Sequence, residues 1–335
     1  MQNRSRSGFT MVELLVVIAI IALLVSIILP GLGNAKKLAK LTKEEAAAKQ
    51  LVTAFLTYAH DQKDRVVPSG PAWDAVHPGT TPAQFVLRPT DPFPNAPVYM
   101  EGSVSKTWVW HLYTATAYAL HGLMIDQATY DIFRNRSTAN TGVVNGWAQY
   151  ADTSAQAAFG YHPSFGVNGV YVGGSYSHGA FSDTGSPRWS QSNSRNGLKN
   201  FYLTHIGKAL NPSKLFVYVG SRGGDVSGTG WWGYGATVPN SGIIRPGYWL
   251  VTPPRAYPNQ RGGSGVGGQA WSANNSFDSR MVPGTWGNID ARHFGKAVTA
   301  SLDGHIETLG LQDMRDMRRW SNYADRADWN FTAAR

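Results

Sequence analysis

Apolar and polar positions are distributed very unevenly along the chain. From Leu14 to Leu29 every residue but Ser26 is apolar. Counted from Phe9, the stretch reaches the ~20 residues a helix needs to cross a hydrocarbon core. Pro30 has no amide proton to donate, and Gly31 and Gly33 weaken helix propensity, so a kink or melted turn is expected over Leu29–Asn34. Beyond it, Leu38, Leu41, Ala48, Val52, Phe55 and Ala59 recur mostly at three- and four-residue steps. That spacing predicts an amphipathic helix over 35–61 with its stripe against a globular body. Lys and Glu fill many of the positions between.

The pattern then loosens. Residues 69–97 are rich in Pro, Gly and Thr, which points to loops. A short helix is expected within Leu112–Met124, and strand and turn material within Phe159–Gly174. Phe201–Ile206 and Leu215–Val219 are expected strands, the second being the clearest apolar run of the body, with a turn at Asn211-Pro212-Ser213 before it. Residues 220–284 are dominated by Gly, Pro, Ser and Trp, and no internal repeat is present.

Near the C-terminus, Asp303-Gly304 between strand-like segments is a strong hairpin signal. A two-residue loop would pair Leu302 with His305. A three-residue loop with Gly304 in the left-handed bulge position would pair Ala300 with Ile306 and Val298 with Thr308. The second keeps the apolar side chains on one face and is preferred.

Composition narrows the chemistry. The 335 residues include no cysteine, which removes disulfides and thiolate catalysis. Roughly 270 residues lie beyond the N-terminal helix, enough to build a core. The formal charge is +9, which favours polyanionic neighbours, although a solvated basic surface explains it as well.

One residue is out of place in the apolar segment. Glu13 sits a turn inside it, where a carboxylate costs up to about 2.5–3.5 kcal/mol and calls for a partner. A cut after Gly8 would make Phe9 a new amino terminus, a natural cationic partner in the same chain or a neighbour. Such a pair sets register. The basic leader ending in Gly8, then Phe9, then Glu13 and the apolar run, closely resemble the type IV prepilin and type II secretion pseudopilin signal. Pro30 falls where such proteins commonly carry a helix-breaking proline. The resemblance implies cleavage by a prepilin peptidase between Gly8 and Phe9, N-methylation of Phe9, and a filament-assembly role for Glu13. It also implies an inner-membrane precursor with a cytoplasmic N-terminus and a periplasmic body. Charge alone leaves orientation open: Arg4 and Arg6 precede the span, but Lys36, Lys37, Lys40 and Lys43 follow it. Loss of the two leader arginines lowers the net charge by two, to +7.

At the other end, His293, nine residues, then Asp303-Gly304 resemble the H-x(9)-D-G domain of many large pseudopilin-like proteins. Tyr58-x-x-Asp61 followed by Pro68, and the tail Trp320-Ser321-Asn322, fit the same group. The resemblance carries no biochemical role for these residues. His293 is expected to enter the first hairpin strand and hydrogen-bond near the Asp303 turn. A metal site from His293, Asp303, His305 and Glu307 lacks diagnostic spacing, as does one from His60, Asp61 and Asp64, so no metal is expected.

Other motifs do not carry chemistry. Gly263-Ser264-Gly265-Val266-Gly267-Gly268 matches G-x-G-x-x-G, but neither a strand precedes it nor a helical pattern follows. Asp183-Thr184-Gly185-Ser186 is similar to an aspartic-protease signature, yet has no second copy to share a proton. Trp231, Trp232, Trp249, Trp271 and Trp286, in Gly-rich stretches, suit either stacking on sugars and bases or core packing.

The expected fold is α+β and pilin-like: a long N-terminal helix, its first half spanning the membrane, packed on an antiparallel sheet with long loops. The divisions are a leader over 1–8, a transmembrane helix over 9–30, an amphipathic helix over 31–66, a loop-rich insert over 67–285, and a hairpin and tail over 286–335. The function expected is structural rather than enzymatic, without a cofactor: a subunit of a type II secretion or type IV pilus-like filament. The partners are prepilin peptidase, other pilin or pseudopilin subunits and the inner membrane. The alternative is a pilin-anchored surface module binding glycan or nucleic acid.

Overall fold

A computed structural model describes residues 10–69, 85–87, 98–100, 107–112, 160, 162–174, 202–223, 247–255, 271, 277–278 and 283–329. The chain divides into two compact units, Met1–Lys43 and Glu44–Arg335. A single helix, α1 (Met11–Asp61), begins in the first and ends in the second.

In the first unit, α1 presents its large apolar side chains to the outside, Leu14, Ile18, Ile21 and Leu29 among them. It is the one helix among the described residues long and apolar enough to cross a membrane. Ser26, the polar residue of the run, donates its hydroxyl to the Leu23 carbonyl at 2.7 Å, so its polarity is satisfied within the helix. The melted turn, one of the two forms expected over Leu29–Asn34, is not there: α1 continues as helix through Pro30, Gly31 and Gly33. A proline removes one hydrogen bond from the ladder, and the helical segments on both sides carry the chain across the gap.

In the second unit the predicted stripe is buried, with Ala48, Val52, Phe55 and Ala59 joined by Leu51 and Ala54. Leu38, assigned to the same stripe, lies in the first unit and is exposed. Burying a side chain the size of Leu51 or Phe55 stabilises by about 1.5–3 kcal/mol. The helix ends where Lys63 and Asp64 turn left-handed (φ 57° and 64°), with the Asp64 amide donating to the Ala59 carbonyl at 2.8 Å.

The sheet has five strands: β3 (Phe165–Asn168), β4 (Phe216–Gly220), β5 (Leu250–Val251), β6 (Lys296–Ser301) and β7 (Ile306–Gly310), in the order β5-β3-β4-β6-β7. All pairings are antiparallel except β3 with β5, so the sheet is mixed rather than purely antiparallel. A separate hairpin joins β1 (Phe85–Leu87) to β2 (Val98–Met100). One helical turn, α2 (Trp108–His111), ends at Leu112; the short helix expected within Leu112–Met124 falls on residues 113–124, outside the described set. Within 202–206, instead of a strand, two isolated bridges form, Leu203 to Val172 and His205 to Arg65, followed by a 3-10 turn over Ile206–Lys208.

Central β4 is buried along its whole length, which explains its continuous apolar sequence. Its register with β6 shifts between Phe216 and Tyr218. The bulge sends two residues of the same parity to different neighbours. Tyr218 meets Phe55 of α1 edge-on at 5.9 Å and Trp108 at 4.8 Å. Phe216 meets Trp320 edge-on at 5.5 Å, in a second cluster with Trp271 and Trp286. The Arg315 guanidinium lies 5.9 and 5.6 Å from those last two ring centres.

The tail is tied in through its expected signature residues. Asn168 donates its amide to the Trp320 carbonyl at 2.8 Å. Asn322 accepts from the Leu210 amide at 2.7 Å and donates to the Lys208 carbonyl at 3.0 Å.

Candidate functional site: the two terminal motifs

Gly8 and Phe9 lie outside the described residues, so the processing junction has no geometry here. Glu13 does. Thr10 precedes α1, and its backbone amide and hydroxyl both donate to Glu13 Oε2 at 2.8 Å. The Glu13 amide returns a hydrogen bond to Thr10 Oγ1 at 3.3 Å. This is a capping box, in which a Thr and a Glu three residues later satisfy each other's backbone at a helix start. The Thr10-x-x-Glu13 spacing was readable in the sequence and is the signal that identifies it. The carboxylate therefore enters apolar surroundings already holding two hydrogen bonds, which lowers the cost of placing it there.

The C-terminal motif is built on β6 and β7. The hairpin takes the bulged register: Ala300 pairs with Ile306 and Val298 with Thr308. Gly304 is left-handed at φ 87°, and Asp303 Oδ1 accepts the His305 amide at 2.9 Å, closing the turn. The Gly304 carbonyl accepts from Lys49 Nζ at 2.8 Å, and Thr308 donates to Glu45 Oε1 at 2.8 Å, so the hairpin is fastened to α1.

His293 is not where the sequence placed it. It precedes β6, bridging back to Lys296 across a tight turn, and does not bond the Asp303 turn. Its Nε2 instead meets Glu44 Oε2 of α1 at 2.6 Å. The reason is that the motif's ends lie on opposite sides of β6, His293 before it and Asp303-Gly304 after it. What they share is the helix, through Glu44 and Lys49.

Glu44 is the residue of this cluster that the sequence did not single out. It is completely buried, and His293 is nearly so. Arg292 brings a guanidinium to the same carboxylate, its Nε 3.8 Å from Glu44 Oε2 and 3.1 Å from Asp290. Arg292 Nη2 also donates to the Ser221 carbonyl at 2.7 Å. Gly220, the last residue of β4, faces the carboxylate: a Cβ there would sit 2.8 Å from Glu44 Oε1. Charged residues between apolar ones suggested solvent. Yet Glu44 lies four residues before Ala48 and eight before Val52, in phase with the buried face.

The four residues weighed as metal ligands are not gathered. His293 pairs with Glu44, while His305 and Glu307 are 3.5 Å apart on the more exposed hairpin. Among the described residues no group of three or more His, Cys, Asp or Glu is placed to hold a metal. His60, Asp61 and Asp64 are exposed at the end of α1. Of the tryptophans weighed as ligand platforms, Trp249, Trp271 and Trp286 are buried, while Trp231 and Trp232 lie outside the described residues. The Asp183 and Gly263–Gly268 motifs also lie outside them.

Comparison with protein families finds the prokaryotic N-terminal methylation motif at residues 3–29. The chain thus carries a prepilin-type signal, and the match, over residues 3–29, takes in the apolar half of α1. No curated protein and no solved structure matches the chain.

Proposed function

We propose that this chain is a pilin-like subunit of a type II secretion or type IV pilus-like filament, and that its role is structural rather than catalytic. The observation that carries the reading is the methylation motif at residues 3–29, coinciding with the one apolar, outward-facing helix of membrane-spanning length among the described residues. In this reading prepilin peptidase cuts after Gly8 and the new amino terminus at Phe9 is methylated. Glu13 then sets register by meeting a neighbouring subunit's amine. The precursor is a single-pass protein of the inner membrane, its leader cytoplasmic and its body periplasmic. Residues 1–8 are the leader, 9–30 the span, 31–66 its continuation, 67–285 the insert, and 286–335 the H-x(9)-D-G hairpin and tail.

The C-terminal motif completes the reading as a clasp. His293 and Gly304 fasten the helix that bears the signal to the sheet of the body, through Glu44 and Lys49. The glycan- or nucleic-acid-binding alternative gains no support, because Trp249, Trp271 and Trp286 are spent on core packing.

The test is the intact mass of membrane-extracted protein co-expressed with a prepilin peptidase, for wild type and Gly8→Ala. Loss of residues 1–8 with one methyl group added, absent in the variant, is the expected result. An uncut wild-type chain overturns the filament reading.

A further inference from the structure

Four lysines within two turns of helix follow the apolar run. Lys36, Lys37, Lys40 and Lys43 are all exposed on α1. Lys36, Lys40 and Lys43 stand at four- and three-residue steps and so share one helix face. None of these three has an ion-pair or hydrogen-bond partner among the described residues. Like charges at such spacings repel and weaken a helix. Basic residues beyond a span also oppose the leader's two arginines in setting orientation. A stripe of this kind offers a polyanion three exposed positive charges on one helix face.

The position of the stripe says which one. Leu32 is the last large exposed apolar residue before it. Lys36 follows four residues later, about 6 Å of helix rise, and Lys40 about 12 Å. The headgroup layer extends roughly 5–8 Å beyond the hydrocarbon on each side, and a lysine stem reaches back toward it. We propose that Lys36, Lys40 and Lys43 form a binding stripe for anionic phospholipid headgroups of the membrane that α1 enters. The lysines act as point charges on phosphate oxygens, Lys36 and Lys40 at contact and Lys43 within a screening length. The stripe collects anionic lipid around the stalk whichever side of the membrane it faces. The inference rests on membrane anchoring through α1, not on filament assembly.

The experiment uses the full chain in bilayers of phosphatidylcholine and phosphatidylglycerol at three to one. Insertion is scored first, by flotation in alkaline carbonate. The protein is then extracted in mild detergent and its co-purifying lipid quantified, for wild type and for Lys36→Gln/Lys40→Gln/Lys43→Gln. These side chains are exposed, so the variant is expected to keep the wild-type helix content and unfolding midpoint. The expected result is severalfold enrichment of phosphatidylglycerol over the bulk ratio, about fivefold for each engaged lysine. It is lost in the variant and in roughly 0.5 M salt, where screening shortens to a few ångströms. Equal lipid ratios for wild type and variant overturn the proposal. So does a variant that changes self-association in pure phosphatidylcholine without changing the lipid ratio, because the stripe then meets a second copy. A chain that fails to float overturns the anchoring as well.

Discussion

Glu44 Oε2 and His293 Nε2 are 2.6 Å apart, although 249 residues separate them in the sequence. Both side chains are buried, and Arg292 stands beside them. Removing one partner of a buried hydrogen-bonded pair leaves the other without it, which typically costs about 1–3 kcal/mol. His293→Ala and Glu44→Ala should each lower the stability of the full chain in detergent by that order, read by chemical denaturation. In the double variant the loss should fall well short of the sum of the two. Additive losses would mean that the pair is not coupled.

Gly220 gives an independent check on the same carboxylate. A Cβ at that position intrudes on Glu44 Oε1, so Gly220→Ala should be destabilising by roughly 1–3 kcal/mol. In the Glu44→Ala background, where the carboxylate is gone, the same change should cost much less.

His162 should make stability depend on pH. Burial pushes its imidazole down to about 4 from 6.5, only partly opposed by the Nδ1–H bond to the Gly247 carbonyl at 3.0 Å. Between those values the unfolded chain binds more protons than the folded one, so stability rises with pH through the window. As pH falls from 6.5 to 4 the loss reaches about 3 kcal/mol, and it levels off below. Denaturation midpoints from pH 7.5 to 4 should show this slope. His162→Gln, which cannot titrate, should remove that share of it whatever it does to stability at pH 7.5.

The two turns of the motif should respond in opposite directions. At φ 87°, Gly304 occupies a conformation that an L-residue resists, so Gly304→Ala should cost about 1 kcal/mol or more. Phe294 holds φ 54° and is 64% exposed. It heads the tight turn between His293 and Lys296, where Asn is strongly preferred. Phe294→Asn should therefore raise the thermal midpoint, by the equivalent of about 1 kcal/mol.

What could be read in advance divides by the range of the physics. The register of the C-terminal hairpin was legible because Asp303-Gly304 specifies the turn and the alternation of Val298, Ala300 and Ile306 specifies the face. The stripe on α1 was legible from its period. The capping box at Thr10 and Glu13 was a local signal within reach of the same reading. Strand β5 was not legible: Leu250 and Val251 are two residues, too few to show alternation, and only β3 beside them makes a strand. The bulge in β4 was equally hidden, since Phe216 and Tyr218 part company through their pairing with β6. The burial of Glu44 needed His293 to be known as its partner, and such information does not exist along a single segment of chain.

The separation of that pair also bears on how the protein is made. Glu44 is synthesised early, and its partner follows 249 residues later. Until then the apolar stripe can meet β4, where Tyr218 receives Phe55, but the Glu44 carboxylate has neither His293 nor the hairpin beside it. Strand β6, which lies between β4 and β7, is as late. The body therefore cannot close before β6 and His293 have been made, and a chain stopped short of them is left with part of its helix face open, a target for whatever holds or degrades unfinished proteins.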